Sequence, residues 1–420
     1  MRTELPEASR RATDAARSYR GRWRGILRRG GHGCRERSGL ARRHAAPKGS
    51  EFRHPSLLRR TLSLKLAVVL LSALLVGLTV RTGARATLVV ASVPYWNNAY
   101  GATAVLSNRH LFSEVSPWMY GLDSSGRIVT QYGPGQSAAA DAKLARLRAA
   151  GIPLVPSLAN VVQGNWAYRP VAVMLHNPTL RAQHVAAIVA LVRQQHYAGI
   201  DIDYEDLHAS DRNAFTAFVT QLAAALHAKG KVLSVDVFAK TTDRGYDQRN
   251  AAQDYAAIGQ AADQVRLMGY DYHWTSSPPG PVAPIGWIRD VLRYAKTQIP
   301  ANKIILGIPL YGYDWAGGHG TPVSWLQAFR LAIKYHVPVQ FDATSQEPWF
   351  GYTDQSGHSH VVWFENAPSS KAKLDAALGA GIGGVYLWMY GYEDSSIWAA
   401  LRQTLPMGRA SLVSTSPAGT

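Results

Sequence analysis

The sequence predicts an α/β fold, a (β/α)8 TIM barrel with a small α+β insertion between strands seven and eight, preceded by one apolar N-terminal helix. Three observations carry this. From Thr87 to about residue 405, short β-rich runs alternate with helical patterns until eight strands have been counted. No Gly-rich phosphate turn follows the first run, as a doubly wound sheet would want. Polar and aromatic residues gather at the C-terminal ends of the runs, where such barrels build their sites.

The elements follow in order. Leu88–Val93 reads as strand one and Glu114–Tyr120 as strand two, with a turn at Asp123-Ser124-Ser125-Gly126. Ala138–Ala150 is a helix and Ile152–Leu158 strand three. Asn177–Gln195 repeats apolar residues at helical spacing, and the run from Ile200 to Glu205 is strand four. Asp211–Lys229 is a long amphipathic helix closed by Gly230. Val232–Val237 is strand five, Tyr255–Ala262 a short helix and Gln264–Asp271 strand six. Ile285–Gln298 is a helix, Lys303–Tyr311 strand seven, Gly384–Tyr390 strand eight and Ser395–Leu405 the last helix. The insertion, about residues 316–368, carries a helix near Ser324–Tyr335 and strands at Pro338–Phe341, Trp349–Tyr352 and His360–Phe364. A final barrel helix near Lys371–Leu378 follows it.

The net charge of +17 suggests nucleic acid, but its distribution argues otherwise. Residues 1–60 hold 17 Lys/Arg and 5 Asp/Glu, so the excess belongs to a basic tail that reads as disordered, not to a groove in the body. Next, within residues 61–81, comes Leu62–Val80, nearly all apolar, and then Gly83-Ala84-Arg85-Ala86. The stretch fits either a secretory signal cleaved near Ala86 or a single-pass anchor. Both readings leave the N-terminus in the cytoplasm and the rest of the chain outside. The single cysteine, Cys34, precedes this stretch, so the exported part, residues 87–406, is held by its core and not by disulfides. Residues 407–420 are rich in Ser, Ala, Gly and Pro and read as a disordered tail.

Chemistry concentrates in Ile200-Asp201-Ile202-Asp203-Tyr204-Glu205, which alternates apolar or aromatic with acid. On a strand, residues two apart share a face, so the three carboxyls point one way. The ordinary reading is a half-exposed strand with a solvated acidic face. The run contains no base to balance the acids, and three buried like charges persist where something uses them. Aromatics stand nearby at strand ends: Tyr95, Trp96, Trp118, Tyr311 and Trp388, with Asp271 after Tyr270 and Asn160 after strand three. Flat rings beside acids suit sugars, although each aromatic alone is more often core. Asp-x-Asp with a Glu also fits Mg²⁺ or Mn²⁺. No His joins the cluster, and His273, His319, His358 and His360 show no ligand spacing, so neither a metal nor another cofactor is expected. Loss of activity in a chelator would favour the metal reading.

Ala198-Gly199-Ile200-Asp201-Ile202-Asp203-Tyr204-Glu205 resembles the D-G-x-D-x-D-x-E signature of family 18 glycoside hydrolases, the chitinase-like enzymes. Met268-Gly269-Tyr270-Asp271 is similar to that family's M-x-Y-D, and Lys303–Trp315 and Gly384–Trp388 to its strands seven and eight. Ser116–Asp123 and Trp363–Asn366 resemble the bacterial spore-germination, cortex-lytic N-acetylglucosaminidase branch. The resemblance spans about Leu88–Leu405, with one departure: Ala198 stands where the family carries its first Asp.

The resemblance implies a retaining, substrate-assisted glycosidase acting on β-linked N-acetylglucosamine, in peptidoglycan, spore cortex or a chitin-like polymer. Strand geometry agrees, because the Cα atoms of Asp203 and Glu205 are roughly 6.6 Å apart along one face and neither carboxyl opposes the other across a sugar. By the resemblance, Glu205 is acid and then base, Asp203 binds the acetamido N–H, Tyr270 donates to the acetamido oxygen and Asp201 tunes Asp203. Trp388 is the floor under the sugar, with Asp271, Tyr311, Tyr95, Trp96 and Trp118 as further substrate contacts. A monomer, with no nucleic-acid partner and a membrane contact through Leu62–Val80, completes the expectation. The alternative is a catalytically weak or inactive wall-binding protein on the same barrel.

Overall fold

The structure, a computed structural model, describes residues 87–132 and 137–405. The basic tail, the Leu62–Val80 stretch with the site at Ala86, and the 407–420 tail lie outside the described residues. No helix among the described residues is long and apolar enough to cross a membrane.

Sixteen strands and eleven α-helices are described. The chain runs β1 (Leu88–Pro94), α1 (Asn98–Ser107), β2 (Glu114–Leu122), β3 (Ile128–Thr130), α2 (Ser137–Ala149) and β4 (Ser157–Ala159). It continues through β5 (Val161–Val162), β6 (Asn165–Trp166), α3 (Tyr168–His176), α4 (Pro178–Gln194) and β7 (Gly199–Asp203). Then come α5 (Arg212–His227), β8 (Val232–Phe238), α6 (Gln248–Ala252), α7 (Tyr255–Ala261), β9 (Gln264–Met268), α8 (Ile285–Gln298) and β10 (Ile304–Pro309). The rest is β11 (Tyr311–Ala316), β12 (His319–Ser324), α9 (Trp325–Lys334), β13 (Gln340–Asp342), β14 (Glu347–Thr353), β15 (Ser359–Phe364), α10 (Ala367–Ala380), β16 (Gly384–Trp388) and α11 (Ile397–Thr404).

Eight strands form a closed parallel barrel in the order β1-β2-β4-β7-β8-β9-β10-β16, with β1 paired to both β2 and β16. This is the expected eight-stranded barrel, with helices around it. The alternation in each strand explains its two faces. Ile200, Ile202, Leu233, Val235, Val265 and Leu267 face outward into the main hydrophobic core. Glu114, Ser116, Ser157, Asp201, Ser234, Asp236, Gln264 and Arg266, at alternate positions, are buried on the other face. Gly307 makes room inside the barrel: a Cβ there would lie 2.7 Å from the Tyr386 ring.

Several boundaries depart from the sequence expectation. The third barrel strand is three residues long, because Pro153 and Pro156 have no N–H to give a ladder; only an isolated Val115–Leu154 bridge precedes it. The fourth ends at Asp203, so Tyr204 and Glu205 lie beyond it. The sixth ends at Met268, and Asp271 turns to φ 57°. The seventh stops at Pro309, and Tyr311 opens a five-stranded antiparallel sheet ordered β12-β11-β15-β14-β13. Helices α1 and α3 were not expected. In α3, Pro170 masks the pattern, yet it lies in the first turn, where proline is tolerated, while Val171, Met174 and Leu175 are buried.

Candidate active site

A cavity of about 1050 Å³ opens at the C-terminal ends of the barrel strands. Tyr95, Trp96, Trp118, Asp203, Glu205, Tyr270, Asp271, Tyr311 and Trp388 all line it. The structure therefore brings together nine of the ten residues given a catalytic or substrate-binding role from the sequence. The tenth, Asp201, is buried deeper in the barrel and does not line the cavity.

Asp201 and Asp203 project from the same face of β7, and the strand stacks them at different depths. Asp201 Oδ2 accepts from the Ser157 hydroxyl at 2.7 Å and lies 3.1 Å from Arg266 Nη1. Arg266 also donates to Glu114 Oε1 at 2.6 Å and to the Ser116 hydroxyl at 2.8 Å, and Gln264 Nε2 donates to Glu114 Oε2 at 2.9 Å. Burial works against the Arg266 charge, yet Asp201 and Glu114 beside it hold its pKa above the usual arginine value. A guanidinium with several aligned acceptors is the arrangement in which a buried charge is tolerated.

One layer nearer the cavity, Asp203 Oδ2 accepts from the Trp118 indole N–H at 2.8 Å. Its other oxygen, Oδ1, is buried and has no hydrogen-bond partner among the described residues. Burial, with the charge of Asp201 added, pushes the Asp203 carboxyl up to about 7 against the pull of Trp118 and Arg266. Glu205 is pushed well above the usual carboxylate range by burial first, then by Asp203 and Asp271, while Arg249 opposes the shift. Asp236, on β8, is driven upward by burial and by Asp201 and Asp203.

Tyr270 and Tyr386 share a hydroxyl hydrogen bond of 2.8 Å, and burial keeps the Tyr270 hydroxyl protonated. Asp271 Oδ1 accepts from the hydroxyls of Tyr311 at 2.6 Å and Tyr313 at 2.9 Å. Its left-handed φ turns it toward them, a conformation aspartate adopts more readily than most residues. On the opposite wall Tyr95 stacks on Trp118 with centroids 6.0 Å apart, and Trp96 and Trp118 each lie 6.3 Å from Trp388. The Trp388–Met389 peptide bond is cis. Every exposed large aromatic among the described residues (Trp96, Trp166, Tyr246, Tyr272 and Trp274) lines this one cavity.

Sequence reasoning missed Asp236, Arg249, Tyr246, Trp166 and Tyr386 as lining residues, and Arg266 as the counter-charge. A signal existed for Asp236 and Arg266: each is a lone charge inside an apolar strand run. Nothing local marks Arg249, which reaches the cavity from α6 and lies over the Phe238 ring at 5.0 Å.

Comparison with known proteins agrees with this geometry. Residues 161–393, more than half of the chain, match the family described as Glycosyl hydrolases family 18. A cortical fragment-lytic enzyme of Bacillus anthracis is 34% identical over 268 residues, covering 62% of this chain and 62% of that protein. The crystal structure of a chitinase from Chromobacterium violaceum superposes with a TM-score of 0.70 at 32% identity, covering 76% of this chain and 99% of the other. That of the Bacillus cereus spore cortex-lytic enzyme SleL gives 0.68 at 27% identity, covering 78% and 76%. The chain spans between about half and three-fifths of the length of the curated cortex-lytic and sporulation relatives it matches. A closed parallel barrel, stacked carboxyls at the end of its fourth strand and this match lead to one assignment: the chain belongs to the family 18 glycosyl hydrolases.

Proposed function

We propose that this protein hydrolyses β-linked N-acetylglucosamine bonds by a retaining, substrate-assisted mechanism, and that residues 87–406 are its catalytic barrel. The observation that carries the reading is the state of Glu205. It lines an aromatic cavity, and burial, with Asp203 and Asp271 adding, raises its carboxyl well above the usual carboxylate range and so favours the protonated form. A carboxylic acid held protonated beside a sugar is a general acid for the leaving oxygen. Once ionised, the same group takes a proton from water in the second half of the reaction.

Asp203 supplies the second part. Its unpartnered Oδ1 is a ready acceptor for an acetamido N–H, and its charge steadies the oxazolinium ion formed when the acetamido oxygen attacks the anomeric carbon. Either hydroxyl of the Tyr270–Tyr386 pair can donate in their shared hydrogen bond, and in the arrangement where Tyr386 donates the Tyr270 proton is free for the acetamido oxygen. Asp201, with Arg266 against it, raises the proton affinity of Asp203 from below. Trp388 is the floor for the reacting sugar, Asp271 and Tyr311 flank it, and Tyr95, Trp96 and Trp118 extend the aromatic wall. The reaction as written needs no cofactor and one copy of the chain. The segment 311–364 reads as an insertion that deepens one wall of the groove.

The cortex-lytic relatives favour peptidoglycan as the polymer, and the chitinase neighbour keeps a chitin-like polymer as the second candidate. On this reading Leu62–Val80 delivers the barrel across a bilayer, as an anchor or as a cleaved signal. The test compares the protein with its Glu205→Gln variant on purified peptidoglycan and on chitin oligosaccharides, with new reducing ends identified by mass spectrometry. N-acetylglucosamine ends are expected from the unsubstituted protein, and the variant should lose about 10²–10⁴-fold in rate. Retention of both proteins on the polymer with no product from either would replace the enzyme by a wall-binding protein.

A further inference from the structure

Glu205 stands past the end of its strand. The β4–β7 ladder stops at Ala159↔Asp203 and the β7–β8 ladder at Ile202↔Val235. The next residue, Asp206, turns to φ 52°. A half-buried backbone at this point must find hydrogen-bond partners outside the sheet. It finds them in one side chain. Asn160 Oδ1 accepts from the Glu205 N–H at 2.8 Å, and Asn160 Nδ2 donates to the Glu205 carbonyl at 2.8 Å.

Asn160 is itself fixed. It is fully buried, its backbone N–H points to the Asp203 carbonyl at 3.4 Å, and its carbonyl accepts from the Ala167 N–H at 2.9 Å. A further contact runs from Nδ2 to the Ala167 carbonyl at 3.3 Å. The amide thus imitates one more rung of β-ladder where the ladder has ended. Only an amide offers a donor and an acceptor in one plane at this reach: an ionised Asp accepts but does not donate, and Gln is one methylene longer.

We propose that Asn160 is a positioning residue for the acid step, holding the Glu205 backbone so that its carboxyl meets the leaving oxygen. This rests on the glycosidase reading given above. Displacing a catalytic group by about 1 Å costs on the order of 10²-fold in rate. The loss must fall on protonation of the leaving group and not on binding of the sugar.

The experiment measures kcat/KM for the full chain and for Asn160→Ala and Asn160→Asp. One substrate is an N-acetylglucosamine oligomer with a sugar leaving group. The other carries an acidic aryl leaving group, which departs with little help from an acid. We expect Asn160→Ala to lose about 10²-fold on the sugar leaving group and less than about tenfold on the aryl one. Asn160→Asp keeps the size and the acceptor, should fold if the alanine variant does not, and should show the same ordering at smaller amplitude. Equal losses on both substrates would make Asn160 a merely structural residue and overturn the inference, as would no loss at all. An unsubstituted chain that cleaves neither substrate sinks the glycosidase reading and this inference together.

Discussion

Asp203 shows what the site costs the fold. Its carboxyl is held at about 7, above an unfolded value near 4, because burial disfavours the charged form. Below pH 4 both states are protonated and the residue contributes no difference. Between about 4 and 7 the native state binds the proton more tightly than the unfolded chain, so stability falls as pH rises, and above 7 the cost is complete. Asparagine in this position accepts the Trp118 N–H and does not titrate. Asp203→Asn should therefore gain several degrees in Tm over the unsubstituted protein at pH 8 and little at pH 4, while hydrolysis collapses. Thermal scans at the two pH values check this; an equal Tm difference at both would show that Asp203 stores no such cost. The shared face of Asp201 and Asp203 was legible because period-two alternation fixes which residues of a strand lie on one side, whereas Glu205 stands past the end of that strand. Arg266 was not legible as their counter-charge: it meets Asp201 across the barrel from a strand more than sixty residues later, and no local pattern records that.

At the scale of elements, caps explain why several ends fell where the sequence put them. Asn177 accepts from the Thr179 and Leu180 N–H groups ahead of α4, with Pro178 at its first position. Ser324 and Gln327 form a capping box on α9. The hairpin β11–β12 was missed because Tyr311–Trp315 continues the aromatic, β-rich run of the barrel strand before it, and only Pro309 marks the change of sheet. What joins this second sheet to the barrel is a buried charge cluster. Lys373 of α10 lies 2.8 Å from Glu365 and 3.3 Å from Glu347 of β14, and Glu347 accepts from the Val282 and Ala283 N–H groups. Burial works against the Lys373 charge, but Glu365 and Glu347 keep its pKa raised; burial, with Glu347 adding, pushes Glu365 up to about 8. Removing one member leaves the others buried without compensation. Lys373→Met should cost about 3–5 kcal/mol in urea unfolding. Adding Glu347→Gln and Glu365→Gln should recover much of that loss, and a triple variant no better than the single one would refute the ion-cluster account.

At the scale of the whole molecule, the barrel closes between its first and last strands. β1 lies between β2 and β16, so Leu88 pairs with Gly384, and Val90 with both Tyr386 and Glu114. The number of strands was legible because each strand–helix unit repeats a change of period from 2 to 3.6. The closure itself was an inference from that count, since nothing near Leu88 announces a partner almost 300 residues away. A chain started at Thr87 contains the complete ring, and its sequence holds no cysteine, because Cys34 precedes it. We expect that fragment to unfold in one cooperative transition, to match the full chain in kcat/KM within about twofold and to be indifferent to reductant. A chain started at Tyr95 lacks β1, and with it the core residues Val89, Ala91 and Val93, and exposes the edges of β2 and β16. Open apolar edges pair with other chains, so this shorter fragment should be recovered as aggregate. Light scattering and circular dichroism on the two fragments decide the matter. A soluble, folded and active Tyr95 fragment would mean that the ring does not need its first strand, and the boundary drawn at Thr87 would then be wrong.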